Sequence, residues 1–553
     1  MIKLLPTKSF KTLIAGSMLT LALAMPVQAM AESTNANTQA PLRSIAESIG
    51  AKVTWDEAKQ QVTVNRGGLQ FTVTIGNDHA IVNGKEVILN NKVTTVDGST
   101  IIPLEIIEEA LQVQLDWNAA NGLTIDPTDT ASLGSYYMQL VSNNKFTEAR
   151  ALMNDNLQQL IPDTMMPVLF NLAASPYGNV TDLLEVQVEK NKLHNIAHLT
   201  YMTEKSTPIQ VDIRYDQSNK ISDIRFTVAT PPSTYHKPSY DNADNYTEEE
   251  VVVGEGLTAV AGTLTLPKGD GPFPTVILVH GSGPSDRDEA VGGYKTFRDL
   301  AVGLANKGIA VLRYDKQTFV NSLSAALIPK YTVKNESIDD VFQAVKLLHN
   351  DKRIDQKHVF VIGHSQGGML VPQIIEQDQN KALAGAVVMA GPSKPLENVS
   401  IDQNNEAIDR LIKAGQPKEV IESAKQQVAQ WEQIVSILHD PQYSTSNLPQ
   451  LAIPGLYWWM DFRNYYAGEL AKKQAAPLLI LQGENDFQVN MSNYEGWKQA
   501  LSTRKDVSFK SYPKLNHFFV SVDMPSTGAE YYTPGNVPAT VIDDIAEWLL
   551  KQK

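Results

Sequence analysis

Residues 359–370 read VFVIGHSQGGML, and the fold is read outward from them. An apolar strand, 359–362, runs straight into Gly363-His364-Ser365-Gln366-Gly367, and Gly368-Met369-Leu370 can open a helix. This is G-x-S-x-G in a strand, sharp turn and helix setting. A serine at the tip of so tight a turn holds a strained backbone, and a Cβ at either flanking glycine would collide with the neighbouring strand or helix. Such a serine hydroxyl is a poor nucleophile until a base takes its proton. The motif therefore demands a histidine and a group that orients it.

On both sides of this stretch, apolar strands alternate with amphipathic helices. Strands are expected at 275–280, 309–314, 359–362, 384–389, 478–482 and 507–512, with helices at 296–307, 337–350, 366–377 and 539–551. Alternation of this kind implies a parallel sheet joined by right-handed crossovers, an α/β fold. An antiparallel pair is expected at 250–266, before the alternation begins. Residues 391–474 interrupt the pattern with helical character and are expected to lie above the sheet as a helical cap. The aromatic residues there, Tyr457, Trp458, Trp459, Phe462, Tyr465 and Tyr466, recur at helical spacing and are expected to form the cap's own core.

The partners of Ser365 come later in the chain. Asp486 lies in PLLILQGENDFQV at the carboxyl end of a strand, and His517 lies one strand later in SYPKLNHFF. Glu484 and Asp461 are alternative orienting carboxylates, and His280, His358, His364 and His439 are the competing imidazoles. A developing oxyanion needs backbone donors fixed before reaction. One is expected from the N–H of Gln366. The other is expected from the loop His280-Gly281-Ser282-Gly283, with Ser282 as first choice and Gly281 as second.

The order Ser365, Asp486, His517 is the α/β-hydrolase order. FPTVILVHGSGPSDRDE, KGIAVLRYDKQT, VIGHSQGGML and LLILQGENDFQV resemble secreted bacterial α/β-hydrolases of the esterase, dienelactone-hydrolase-like and prolyl-oligopeptidase-like groups, over 248–553. The resemblance implies a cofactor-free carboxylic-ester hydrolase that forms an acyl-enzyme on Ser365 from a small-molecule ester. A peptidase or thioesterase is the alternative, and a non-catalytic surface-binding protein is a third reading. Asp286, Arg287, Asp288, Arg313 and Lys316 recur in that group, where they are expected to brace loops.

At 553 residues the chain is too long for one hydrophobic core. Its net charge of −14 argues against nucleic acid or an anionic membrane as partner. With no cysteine, thiolate nucleophiles, Cys-ligated zinc and iron–sulfur clusters are excluded. Residues 1–31 read as a signal peptide: Lys3, Lys8 and Lys11, an apolar run at 13–25, then Ala29-Met30-Ala31. Cleavage after Ala31 and export to the medium or cell surface are expected, an uncleaved anchor being the alternative.

PLRSIAESIGAKVTWD, AIVNGKEV, STIIPLEIIEEAL and LDWN resemble the copper amine oxidase N-terminal-like domain, over 41–127. Its only histidine is His79, so no copper site is expected and a stalk associated with the cell wall or surface is. Residues 128–230 read as α+β, with a helix over 131–153 and four strands, and resemble a cystatin-like accessory domain. His194 and His198 are read there in one strand, about 13 Å apart, where they do not share a metal. Residues 231–247 read as a linker.

Overall fold

Eight strands of the C-terminal half form one sheet in this computed structural model, which describes residues 38–120 and 122–552. The expected signal peptide lies outside them. The strands are β1 Tyr246–Val253, β2 Val260–Pro267, β3 Phe273–Val279, β4 Ala310–Tyr314, β5 Ile354–His364, β6 Gly385–Met389, β7 Leu478–Gly483 and β8 Val507–Tyr512. Their order across the sheet is β1-β2-β4-β3-β5-β6-β7-β8. The pairs β1–β2 and β2–β4 are antiparallel and all others are parallel. This is the α/β-hydrolase arrangement.

Helices cover both faces, which is why the strands read as unbroken apolar runs rather than alternating ones. In β3, Val276 and Leu278 pack with helices Thr296–Ala305 and Ala539–Lys551 on one face. Ile277 and Val279 pack with helices Asp339–His349 and Gln366–Gln377 on the other. The same division holds in β5, where Val359 and Val361 face one way and Phe360 and Ile362 the other.

Between β5 and its helix the chain turns within one residue. Ser365 has φ 52° and ψ −119°, a strained conformation for a residue with a side chain. A Cβ at Gly363 would stand 2.2 Å from the Gly367 carbonyl oxygen, and one at Gly367 would stand 2.2 Å from the Val279 oxygen. Both glycines are there because backbone occupies the space a side chain would need.

The interrupting segment forms helices Leu396–Lys413, Lys418–His439 and Leu456–Phe462. A further short helix, Ala467–Ala471, is buried against helix Gln366–Gln377 and belongs to the flank of the sheet. The aromatic side chains touch one another, Trp459 on Trp431 and Trp458, Trp458 on Phe462, and Phe462 on Tyr465, but they do not form a core of the cap alone. Phe462 is buried in the core on one face of the sheet, Trp458 and Tyr465 pack against it, and Tyr466 is exposed. Tyr465 also donates to the Met369 carbonyl at 3.1 Å, which fixes this cluster to the helix that follows Ser365.

Upstream, residues 40–125 share one hydrophobic core beneath a five-stranded antiparallel sheet. The Asn83-Gly84 hairpin turn has both residues at positive φ, as a type I′ turn requires. A second core spans 137–224, where helices pack on a four-stranded antiparallel sheet. The helix expected over 131–153 breaks into Thr130–Ser142 and Phe146–Ala151, because Asn144 takes a left-handed conformation that ends the first helix. Buried Arg66 joins the two parts, donating to the Ile49 and Leu111 carbonyls and to Ser132 and Ser135. Residues 231–245 run along the hydrolase region, with Tyr235 donating to Asp299 and Tyr240 to the Val537 carbonyl.

Gly367→Ala is expected to destabilise the protein by about 3 kcal/mol or more, since rigid backbone opposes the new methyl. Urea denaturation checks this: the midpoint should fall with the slope unchanged.

Candidate active site

The site lies at the carboxyl ends of β3, β5, β7 and β8, where loops leave the parallel strands and their side chains converge. Ser365 is held by its own N–H, which donates to the Met389 carbonyl at the end of β6 (2.9 Å). His517 Nδ1 donates to Asp486 Oδ2 at 2.7 Å, and both side chains are buried. The second carboxylate oxygen of Asp486 accepts the N–H groups of Gln488 (2.7 Å) and Val489 (2.9 Å), and Gln482 supports Oδ2 at 3.1 Å. Every lone pair that could let Asp486 swing is engaged, so the His517 ring is fixed with Nε2 as its free nitrogen.

The rival groups go elsewhere. Glu484 accepts from Ser511, His358 pairs with Asp355, and His439 pairs with Glu397 of the cap. His280 donates to the Asp286 carbonyl, and burial pulls its pKa down to about 4.

His364 does more than pack beside Ser365. Its Nε2 donates to the His517 carbonyl at 2.9 Å, and the two imidazole rings stand 4.7 Å apart. Its Nδ1 forms an ion pair with Glu289 at 2.9 Å. Burial opposes the charge on both partners, but their attraction outweighs it, so the His364 pKa is raised and that of Glu289 lowered. The other oxygen of Glu289 accepts the Gly281 N–H at 2.9 Å.

That bond corrects one expectation. Gly281 cannot serve as an oxyanion donor, because Glu289 already holds its N–H. Its carbonyl is held as well: buried Lys316 donates to it at 2.7 Å while pairing with Glu336 at 2.6 Å. Glu336 in turn accepts from Trp458 of the cap at 2.7 Å. A Cβ on Gly281 would lie 3.1 Å from the Ser365 Cβ, so this clamped peptide sits directly over the serine. The expected donors that stay available are Ser282 N–H, next in the loop, and Gln366 N–H, which as the first residue of its helix has no intrahelical acceptor.

Glu289 and Glu336 escaped the sequence reading. Glu289 directly follows the D-R-D triplet and carries a positive φ of 50°, but nothing local says that its carboxylate reaches a histidine 75 positions away. Lys316, expected to brace loops, holds the Gly281 carbonyl. Arg287 pairs with Asp315, and Arg313 with Asp288 and Glu248.

Residues 271–521 match the family described as "Serine aminopeptidase, S33", and residues 21–125 match the "Copper amine oxidase N-terminal domain". The esterase EstD of Thermotoga maritima is 35% identical over 341 residues, an alignment spanning 61% of this chain and 76% of that protein. Among solved structures, an esterase from Pyrococcus furiosus covers 58% of this chain and 97% of its own, at 15% identity and a TM-score of 0.34. Est1E from Butyrivibrio proteoclasticus covers 55% and 98%, at 14% identity and a TM-score of 0.35.

Glu289→Gln keeps an acceptor for Gly281 but removes the charge that balances His364. We expect kcat on an ester substrate to fall about tenfold or more while KM stays within about threefold, as befits a positioning residue. Steady-state kinetics check the split; a change in KM alone would contradict it.

Proposed function

Because the chain belongs to the same α/β-hydrolase family as the Thermotoga maritima esterase, we propose that it hydrolyses carboxylic esters of small molecules through an acyl-enzyme on Ser365. The observation that carries this reading is a strained, glycine-flanked serine that directly follows His364, whose ring stands 4.7 Å from that of His517, a histidine whose Nδ1 is bonded to a fully engaged aspartate. In the proposed reaction, His517 Nε2 takes the proton as Ser365 Oγ attacks the ester carbonyl. Asp486 holds the tautomer in which Nδ1 carries hydrogen and stabilises the imidazolium that forms. The N–H groups of Gln366 and Ser282 receive the oxyanion, and collapse of the tetrahedral intermediate expels the alcohol, which takes the proton from His517. Water then enters, activated by the same histidine, and releases the acid.

A second reading, peptide hydrolysis, is favoured by one specific finding, the match to the serine aminopeptidase family. It uses the same residues with an amine as leaving group. We also propose that residues 1–31 direct export and that the copper amine oxidase-like segment acts as a stalk toward the cell surface, on the strength of its histidine-poor sequence.

Graded p-nitrophenyl esters run beside aminoacyl p-nitroanilides separate the two enzymatic readings. Ser365→Ala is expected to lower kcat by about 10⁶, His517→Ala by a similar factor, and the double variant by little more, because the residues act as a unit. Near-additive losses would break the assignment. Failure of the wild-type protein to react with a fluorophosphonate probe would leave only the non-catalytic reading.

A further inference from the structure

Where the four-stranded sheet of residues 180–228 meets the hydrolase region, a cavity of about 450 Å³ remains. That volume lies within the range of small-molecule sites, about 300–1,000 Å³. Its walls come from both sides: His194, His198 and Arg214 from the accessory sheet, and Arg287, Arg313 and Asp315 among those of the hydrolase. His194 is not in the strand with His198, as expected from sequence, but in the turn before it, so the two line one space.

Almost every charge around this cavity is already answered. Arg287 pairs with Asp315, Arg313 with Glu248 and Asp288, Lys295 with Asp288, and Arg298 with Asp241 and Glu248. His198 pairs with Asp212 and Glu189; burial opposes its charge, but the two carboxylates win and lift its pKa to about 9.

Two groups are exceptions: the carboxylate of Asp286, which among the described residues accepts only the N–H groups of Asp288 and Ala290, and Arg214. Arg214 is 1% exposed, yet its guanidinium has no hydrogen bond or ion pair among the described residues, and Nη1 is buried without a partner. The carboxylates closest in sequence and register are committed: Asp212 to His198, Arg225 and Gln210, and Asp223 to the N–H groups of Leu323 and Ser324. Arg214 lies over the Phe319 ring, 5.1 Å from its centroid, with Arg225 over the same ring at 4.2 Å. A buried guanidinium left without an ion-pair partner beside a cleft is strongly unfavourable, and a planar fork of donors matches a carboxylate or phosphate.

We propose that this junction is a binding site for a small molecule carrying a carboxylate or phosphate group, with Arg214 as its principal anchor and His194 as a second donor. The site is separate from Ser365. Its hydrolase wall includes Arg287, two residues before Glu289, and Asp315, the neighbour of Lys316. A bound anion would therefore tie the accessory sheet to the segment that clamps Gly281.

The test uses the full chain in a HEPES buffer of fixed ionic strength set with sodium chloride. Inorganic phosphate and succinate are titrated separately, followed by thermal unfolding and calorimetry. At roughly tenfold excess over Kd, at least one of them should raise the midpoint by about 1–2 °C with one site per chain, and whichever does so identifies the headgroup. Ser365→Ala should retain the effect, so the result stands whatever the outcome for the proposed ester hydrolysis. Arg214→Met should bind at least tenfold more weakly and, without added anion, unfold no earlier than wild type, since it removes an unpaired buried charge. His194→Gln, at a partly exposed position, should weaken binding with the fold undisturbed. No shift beyond that of chloride, equal binding by Arg214→Met, or a markedly lower anion-free midpoint for that variant would overturn the proposal.

Discussion

The close approach of Gly367 to the Val279 carbonyl is the constraint on which the site depends. Two backbones touch where no side chain could intervene, and this contact sets the end of β3 against the turn that carries Ser365. Close packing of main chain on main chain is stiff, because it has no rotamer to relax into. It thereby lets a strained φ at Ser365 persist, and it brings the loop after β3 over the serine. The same approach explains the glycines of the elbow better than flexibility does. They are required for their small size in a rigid place.

Around this contact the protein places buried charge. The peptide of Gly281 is gripped from both ends, its N–H by Glu289 and its carbonyl by Lys316. Each gripping residue is itself paired, Glu289 with His364 and Lys316 with Glu336. Buried ion pairs add little net stability, since desolvation offsets attraction, but they restrict the groups they join. Here they hold the Gly281 peptide in place against Ser365. They also link three sequence-distant regions, because His364 reaches the His517 backbone and Glu336 reaches Trp458 of the cap.

The accessory sheet makes a different kind of contact. Its polar face turns toward the hydrolase region, with Phe319 set beneath Arg214 and Arg225 and the helix at Ser322–Leu327 capped by Asp223. Such a junction is held by charge, cation–π contact and a few apolar side chains, Leu323 and Leu327 among them. It leaves a cleft and, among the described residues, an arginine without an ion-pair partner. Polar junctions of this sort have enough slack to accept a ligand, which a jigsaw-packed core does not.

The sequence alone determined whatever rests on local pattern. The unbroken apolar runs announced a sheet buried on both faces, G-x-S-x-G announced the turn at Ser365, and strand-end positions singled out Asp486 and His517. These are short-range signals, carried by periodicity and by steric demands on a few consecutive residues. Tertiary structure alone decided which polar groups meet. Glu289 with His364, Lys316 with Glu336, and Arg214 without an ion-pair partner among the described residues are pairings or absences that span loops of tens of residues, and no local pattern encodes them. It also removed Gly281 from the oxyanion donors, set His194 in a turn, and gave residues 467–471 to the sheet rather than to the cap. The physical reason is the same in each case. Propensity and hydrophobic period act along the chain, whereas pairing of buried charges is settled only when the folded backbone brings distant groups within hydrogen-bond reach and takes water away.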